Sequence, residues 1–158
     1  MAIGRNKHWL GVVAGIILGL TFAVAGLGKL LHQTEAFKLL FFPDFLTPAL
    51  AKAVFTLLPY VELTVGLLLI TGIVAKLVTA FSALLIAGFV ANNVWALIHG
   101  LGDEPCGCFG LAERMAQAQL SIMGALYLDA AMLVLVFIVL ICYQRGFFDI
   151  NPWFLGRR

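Results

Sequence analysis

Four long apolar runs divide the chain, at about residues 9–28, 54–75, 77–98 and 120–143, and most polar positions fall between them. A helix needs about 20 apolar residues to cross the hydrocarbon core, and each run is long enough. Transmembrane strands would instead alternate apolar and polar residues over about 10 positions, and no such alternation is present. The pattern predicts an all-α polytopic membrane protein, a four-transmembrane-helix bundle forming a single membrane domain over residues 1–158.

The connections carry their own signals. Phe37, Phe41, Phe42 and Phe45 mix with Lys38 and Asp44 after the first run, as expected of a short segment lying in the membrane interface. Thr47 then Pro48 reads as an N-cap followed by proline at the first helical position. Pro59 falls inside the second helix and is expected to kink it. The tight connection around residues 72–76 predicts that helices two and three are antiparallel neighbours. Residues 99–119 form an outer cysteine loop, and the tail from Arg145, with Trp153 and Phe154 beside two terminal arginines, reads as interfacial. On helix one, Gly11, Gly15 and Gly19 recur at four-residue spacing, which lets a second helix backbone approach closely.

Composition agrees with the pattern. The chain is 63% hydrophobic and 11% charged, with a mean hydropathy of +1.06, which excludes an ordinary soluble domain of this length. Arg5 and Lys7 before an apolar run, with Ala23, Val24 and Ala25 imitating a cleavage site, resemble a signal peptide. The run is long enough to span, so a retained membrane helix is expected. Four crossings put both termini on one side. Arg5, Lys7, Lys76, Arg145, Arg157 and Arg158 lie there, six basic residues against four (Lys29, Lys38, Lys52 and Arg114) opposite. The positive-inside rule then makes the termini cytoplasmic and the 99–119 loop external, in a bacterial inner or plasma membrane.

The most specific chemistry is "DEPCGCFG", Asp103 to Gly110. Cys106 and Cys108 can join in a disulfide only where the backbone turns, since extended i and i+2 positions sit near or beyond the usual Cα limit of about 6.8 Å. Gly107 permits such a turn. A strained, exposed disulfide exchanges readily, and a one-residue loop has almost no chain entropy to remove, so exchange suits the pair better than a structural staple. Two other readings stay open. One is a metal site built from Cys106, Cys108, His99 and Asp103 or Glu104, although that set lacks the paired spacing of zinc sites. The other is two free thiols. Cys142, at the far end of helix four, reads as a small buried hydrophobe.

"CGCFG" in an outer loop between the third and fourth helices resembles the MauE family, within the wider DoxX-like membrane proteins. "FAVAGLGKLLHQTEAF" and "LPYVELTVGLLLITG" are similar to the patterns of the first two helices in those groups. The resemblance marks Lys29, Pro59, Glu62, Gly66, Cys106, Gly107, Cys108, Phe109 and Gly110. It implies a role in forming or exchanging disulfides alongside a thioredoxin-like extracytoplasmic partner, with Cys106 and Cys108 as the redox pair and Gly107, Phe109 and Gly110 as its scaffold.

Ionisable groups inside the spans form a second constellation. Glu62 and Asp129 lie deep in apolar helices, where a bare carboxylate costs several kcal/mol; they must be paired, protonated or turned inward. Lys29 can reach toward Glu62 through its flexible stem. Asn92, Asn93 and His99 lie on the outer half of helix three. Such a set either glues helices together or carries protons to and from the thiols, with His99 as the nearest base.

The expected function is therefore a membrane-embedded thiol–disulfide redox protein. The alternative is a small structural or accessory subunit of a larger membrane complex, with the cysteine loop as a docking element. A third reading is a quinone-linked oxidase, with a quinone pocket near the outer loop; quinone is the one cofactor the reading admits. Membrane lipid is an expected partner and nucleic acid is not. The orientation is testable: a membrane-impermeant thiol reagent applied to reduced intact cells is expected to label Cys106 or Cys108, and labelling only after lysis overturns it.

Overall fold

The computed structural model describes residues 2–31, 48–103, 106 and 120–143. Regular structure among these is helical: α1 is Ala2–Leu31, α2 is Pro48–Thr71, α3 is Ala75–Ile98 and α4 is Ile122–Cys142. Each contains a stretch long and apolar enough to cross a membrane, 25 residues in α1, 20 in α2, 24 in α3 and 21 in α4. Large apolar side chains such as Leu20, Leu57, Leu84 and Phe137 face outward. That is the surface a bilayer requires, because lipid tails are as apolar as the side chains they meet. The protein is a multi-pass membrane protein. The expected interfacial segment after helix one and the tail lie outside the described residues.

Helix ends follow local chemistry. α2 opens on Pro48, whose missing N–H matters least at a first helical position. It stops at Thr71, with Gly72 at φ 76° and Val74 at φ 50° making the turn into α3. The hydropathy pattern carries helix two to 75 and starts helix three at 77, because Ile73 and Val74 hide the turn among apolar neighbours. A β-branched residue in the left-handed region is unusual, and Val74 is held there while packing against the core. α3 ends in a Schellman motif: Leu101 N–H donates to the Ala96 carbonyl and Gly100 N–H to the Leu97 carbonyl, both at 3.1 Å. Gly100 sits at φ 80°, a conformation without penalty for glycine. α4 begins two residues later than its apolar run, since Ser121 is the N-cap and its hydroxyl accepts from Gly124 N–H at 3.2 Å.

Successive helices run antiparallel, but sequence neighbours are not always packing neighbours. α1 lies between α2 and α4, and α3 packs mainly on α4. The expected α2–α3 pairing is sparser than those three. A groove of about 600 Å³ opens between them, lined by Tyr60, Val65, Leu68, Leu77 and Phe81.

Glycine explains the preference of α2 for α1. A Cβ at Gly66 would lie 2.7 Å from Ala23 N and Gly19 O, and one at Gly26 would lie 2.8 Å from Leu63 N and Pro59 O. Only hydrogen fits at such an approach. The Gly11–Gly15–Gly19 stripe is divided between partners, Gly19 facing α2 and Gly11 facing the end of α4 near Tyr143. Around this seam Leu18, Phe22, Val65, Leu69, Ile86 and Met132 form the main apolar core. Buried hydroxyls in α3 bond back to their own helix, Thr79 to the Ala75 carbonyl at 2.6 Å and Ser82 to the Thr79 carbonyl at 2.8 Å, so they need no partner across the bundle.

Gly66→Val is expected to destabilise the bundle by roughly 1–3 kcal/mol, the usual range for overpacking. Gly88→Ala, with no atom within 4 Å of the added carbon, is expected to stay within about 0.5 kcal/mol. Denaturant unfolding in mixed micelles compares them; equal losses would show that α1 and α2 are not packed backbone to backbone.

Candidate functional site

Two clusters carry polar chemistry, one inside the bundle and one at the end where α3 stops and α4 starts.

The inner cluster draws residues from all four helices. Lys29, in the last turn of α1, is largely buried and places its ammonium 2.5 Å from Glu62 Oε1. Glu62 is fully buried, on the α2 face that the glycine seam presses against α1. The Lys29 ammonium also lies 5.0 Å from the centroid of the Phe89 ring on α3, within cation–π range. On the other side of the bundle Asn93 Nδ2 donates to an Asp129 carboxylate oxygen at 3.0 Å, joining α3 to α4. A small chamber of about 40 Å³ touches both pairs and is lined by Thr21, Lys29, Glu62, Phe89 and Asp129 among others. Charges this far from water need pairing or hydrogen bonds, which Lys29 supplies to Glu62 Oε1 and Asn93 to Asp129.

The outer cluster is built on the ends of α3 and α4. Cys106 is half-buried, and its backbone N–H donates to the Leu120 carbonyl at 3.0 Å. This bond ties the cysteine to the residue preceding the α4 N-cap. It closes the base of the loop and puts Cys106 at the end of α4 whose N–H groups attract negative charge. Gly107, Cys108, Phe109 and Gly110 lie outside the described residues. His99, the C-cap of α3, is exposed. Its Nδ1 is 2.8 Å from the Trp95 carbonyl, and its ring lies 4.1 Å from the Trp95 ring. A carbonyl only accepts, so Nδ1 donates, which in the neutral ring leaves the lone pair on Nε2.

The family model described as methylamine utilisation protein MauE matches residues 7–143, a span covering all four membrane segments and the cysteine loop. The chain belongs to the MauE family. No curated protein and no solved structure matches it.

In this MauE-family bundle the sequence-predicted residues fall into two groups. Lys29, Glu62 and Asp129 come together around the chamber. Cys106 and His99 stand at the loop end, His99 engaged with Trp95. Asn92, expected beside Asn93, is half-buried and takes no part in the Asp129 pair. No three His, Cys, Asp or Glu residues gather as a metal site among the described residues; Cys108 and Glu104 lie outside them. Cys142 is half-buried rather than buried, at the opposite end of α4 from Cys106.

Two contributors escaped the sequence reading. Phe89 looked like one of 13 phenylalanines, and nothing in its neighbourhood marks it as the ring under an ammonium. Leu120 looked like the first residue of helix four. Ser121 before an apolar run is an N-cap signal that moves the helix start from 120 to 122.

Removing one member of the buried pair leaves the other charge uncompensated, whereas replacing both by apolar groups is often tolerated. Lys29→Met is therefore expected to cost about 3 kcal/mol, and Lys29→Met/Glu62→Leu clearly less. Unfolding of the purified variants measures the coupling; additive losses would mean that the two side chains do not interact.

Proposed function

We propose that this MauE-family protein exchanges disulfides, through Cys106 and Cys108, with a thioredoxin-like protein on the extracytoplasmic face of the membrane. The observation that carries the reading is a Cys-Gly-Cys sequence whose first cysteine is held at the N-terminal end of α4. Thiolate is the attacking species, and a helix N-terminus favours negative charge. Leu120 fixes the loop base while the glycine between the sulfurs leaves the pair free to turn.

The exchange proceeds in two balanced steps. A thiolate of the pair attacks one sulfur of the partner's disulfide; a mixed disulfide forms and the partner's other sulfur leaves as a thiolate. The second cysteine then attacks its neighbour's sulfur, closing the Cys106–Cys108 disulfide and releasing the partner as a dithiol. The chain is oxidised by two electrons and the partner reduced by two. In reverse, the same steps oxidise the partner. His99, seven residues before Cys106 in the chain, is the imidazole proposed to accept a thiol proton, through Nε2.

Losing the resolving thiol stalls the reaction at the mixed disulfide. One of Cys106→Ser and Cys108→Ser is expected to accumulate a covalent adduct with a thioredoxin-like protein, visible on non-reducing gels and by mass spectrometry, while the double variant accumulates none. Stoichiometric zinc in the wild type, lost on either substitution with no adduct, would make the loop a metal site. Normal assembly and activity in the double variant would favour the docking role of an accessory subunit.

A further inference from the structure

The chamber between the helices has an unbalanced charge count. Lys29 from α1 supplies one ammonium, while Glu62 from α2 and Asp129 from α4 supply two carboxylates; α3 contributes Phe89 to the lining and Asn93 as the donor to Asp129, neither of them titratable. One positive charge against two negative ones, enclosed by membrane-spanning helices, leaves a net negative charge in a medium that solvates it poorly. The hydrogen bonds are one donor short as well. Glu62 Oε1 is taken by Lys29, but Oε2 is fully buried and has no hydrogen-bond partner among the described residues.

We infer that this chamber binds one proton together with a water molecule, the proton being shared between the Glu62 and Asp129 carboxylates. The volume of about 40 Å³ exceeds the roughly 10–15 Å³ that a single water needs and leaves no room for an organic ligand. A water there donates to Glu62 Oε2 and accepts from the protonated acid. The added proton brings the centre to neutrality: one ammonium, one carboxylate and one carboxylic acid. A bare monovalent cation fits less well. The chamber offers it oxygens from Glu62, Asp129 and Thr21, and the Lys29 ammonium stands beside them. The proton site does not depend on the cysteine chemistry. It lies about 10 Å along α4 from the helix start, in the half of the bundle that carries Cys106.

The charge count makes a specific experiment decisive. The full chain in lipid nanodiscs at neutral pH is examined by infrared spectroscopy for the stretching band of a protonated carboxylic acid. The wild type is expected to show one such band, and both Glu62→Gln and Asp129→Asn are expected to lose it. With either carboxylate gone, Lys29 balances the other and no proton is needed. Lys29→Met is expected to double the band. Should that variant fail to fold, the two amide variants, close in shape to the protonated acids, still decide the matter. Absence of the band in the wild type, or its survival in either amide variant, overturns the proposal. So does a melting temperature that rises with sodium over choline and loses this dependence in the amide variants, because the site would then hold a metal cation.

Discussion

The Lys29–Glu62 ion pair and the glycine seam beside it set the arrangement of the bundle. In lipid there is no hydrophobic force to press helices together, so association depends on close packing and on polar groups that cannot be left bare. Gly19, Gly26 and Gly66 bring α1 and α2 to backbone contact. That approach places Glu62 where the Lys29 stem can reach it. Each feature supports the other. A wider separation would leave a buried carboxylate without its cation, and an apolar residue at 62 would remove one reason for α2 to prefer α1 over its chain neighbour α3.

The consequence is an uneven bundle. α2 is committed to α1, α1 and α3 both pack on α4, and α2 and α3 separate beyond the turn that joins them. The Asn93–Asp129 hydrogen bond secures the α3–α4 side as the ion pair secures the α1–α2 side. The chamber lies between these two polar contacts. It owes its existence to helices held by polar groups at two separate places.

Nearer the loop, regular hydrogen bonding changes to capping. The Schellman motif at Gly100 turns the chain off α3, Ser121 starts α4, and the Cys106–Leu120 bond closes the loop between them. Cys106 is thus anchored at a base fixed on the two helix ends that hold the described ends of the loop.

Four spanning helices were legible in the sequence because membrane crossing is a local property. Length and apolarity of one segment decide it, whatever its neighbours do. The cysteine pair was legible for a similar reason, since two thiols one residue apart constrain their own chemistry. So was the need of Glu62 and Asp129 for company, which follows from their depth alone. Which partner each would find was a tertiary matter. Asp129 took Asn93, and Phe89 came to lie beside the Lys29 ammonium, through helix rotations that a nearly uniform apolar pattern does not encode. The α2–α3 separation was hidden likewise. A tight turn makes two helices consecutive, but their packing depends on which faces carry the small residues, and on α2 that face turned to α1.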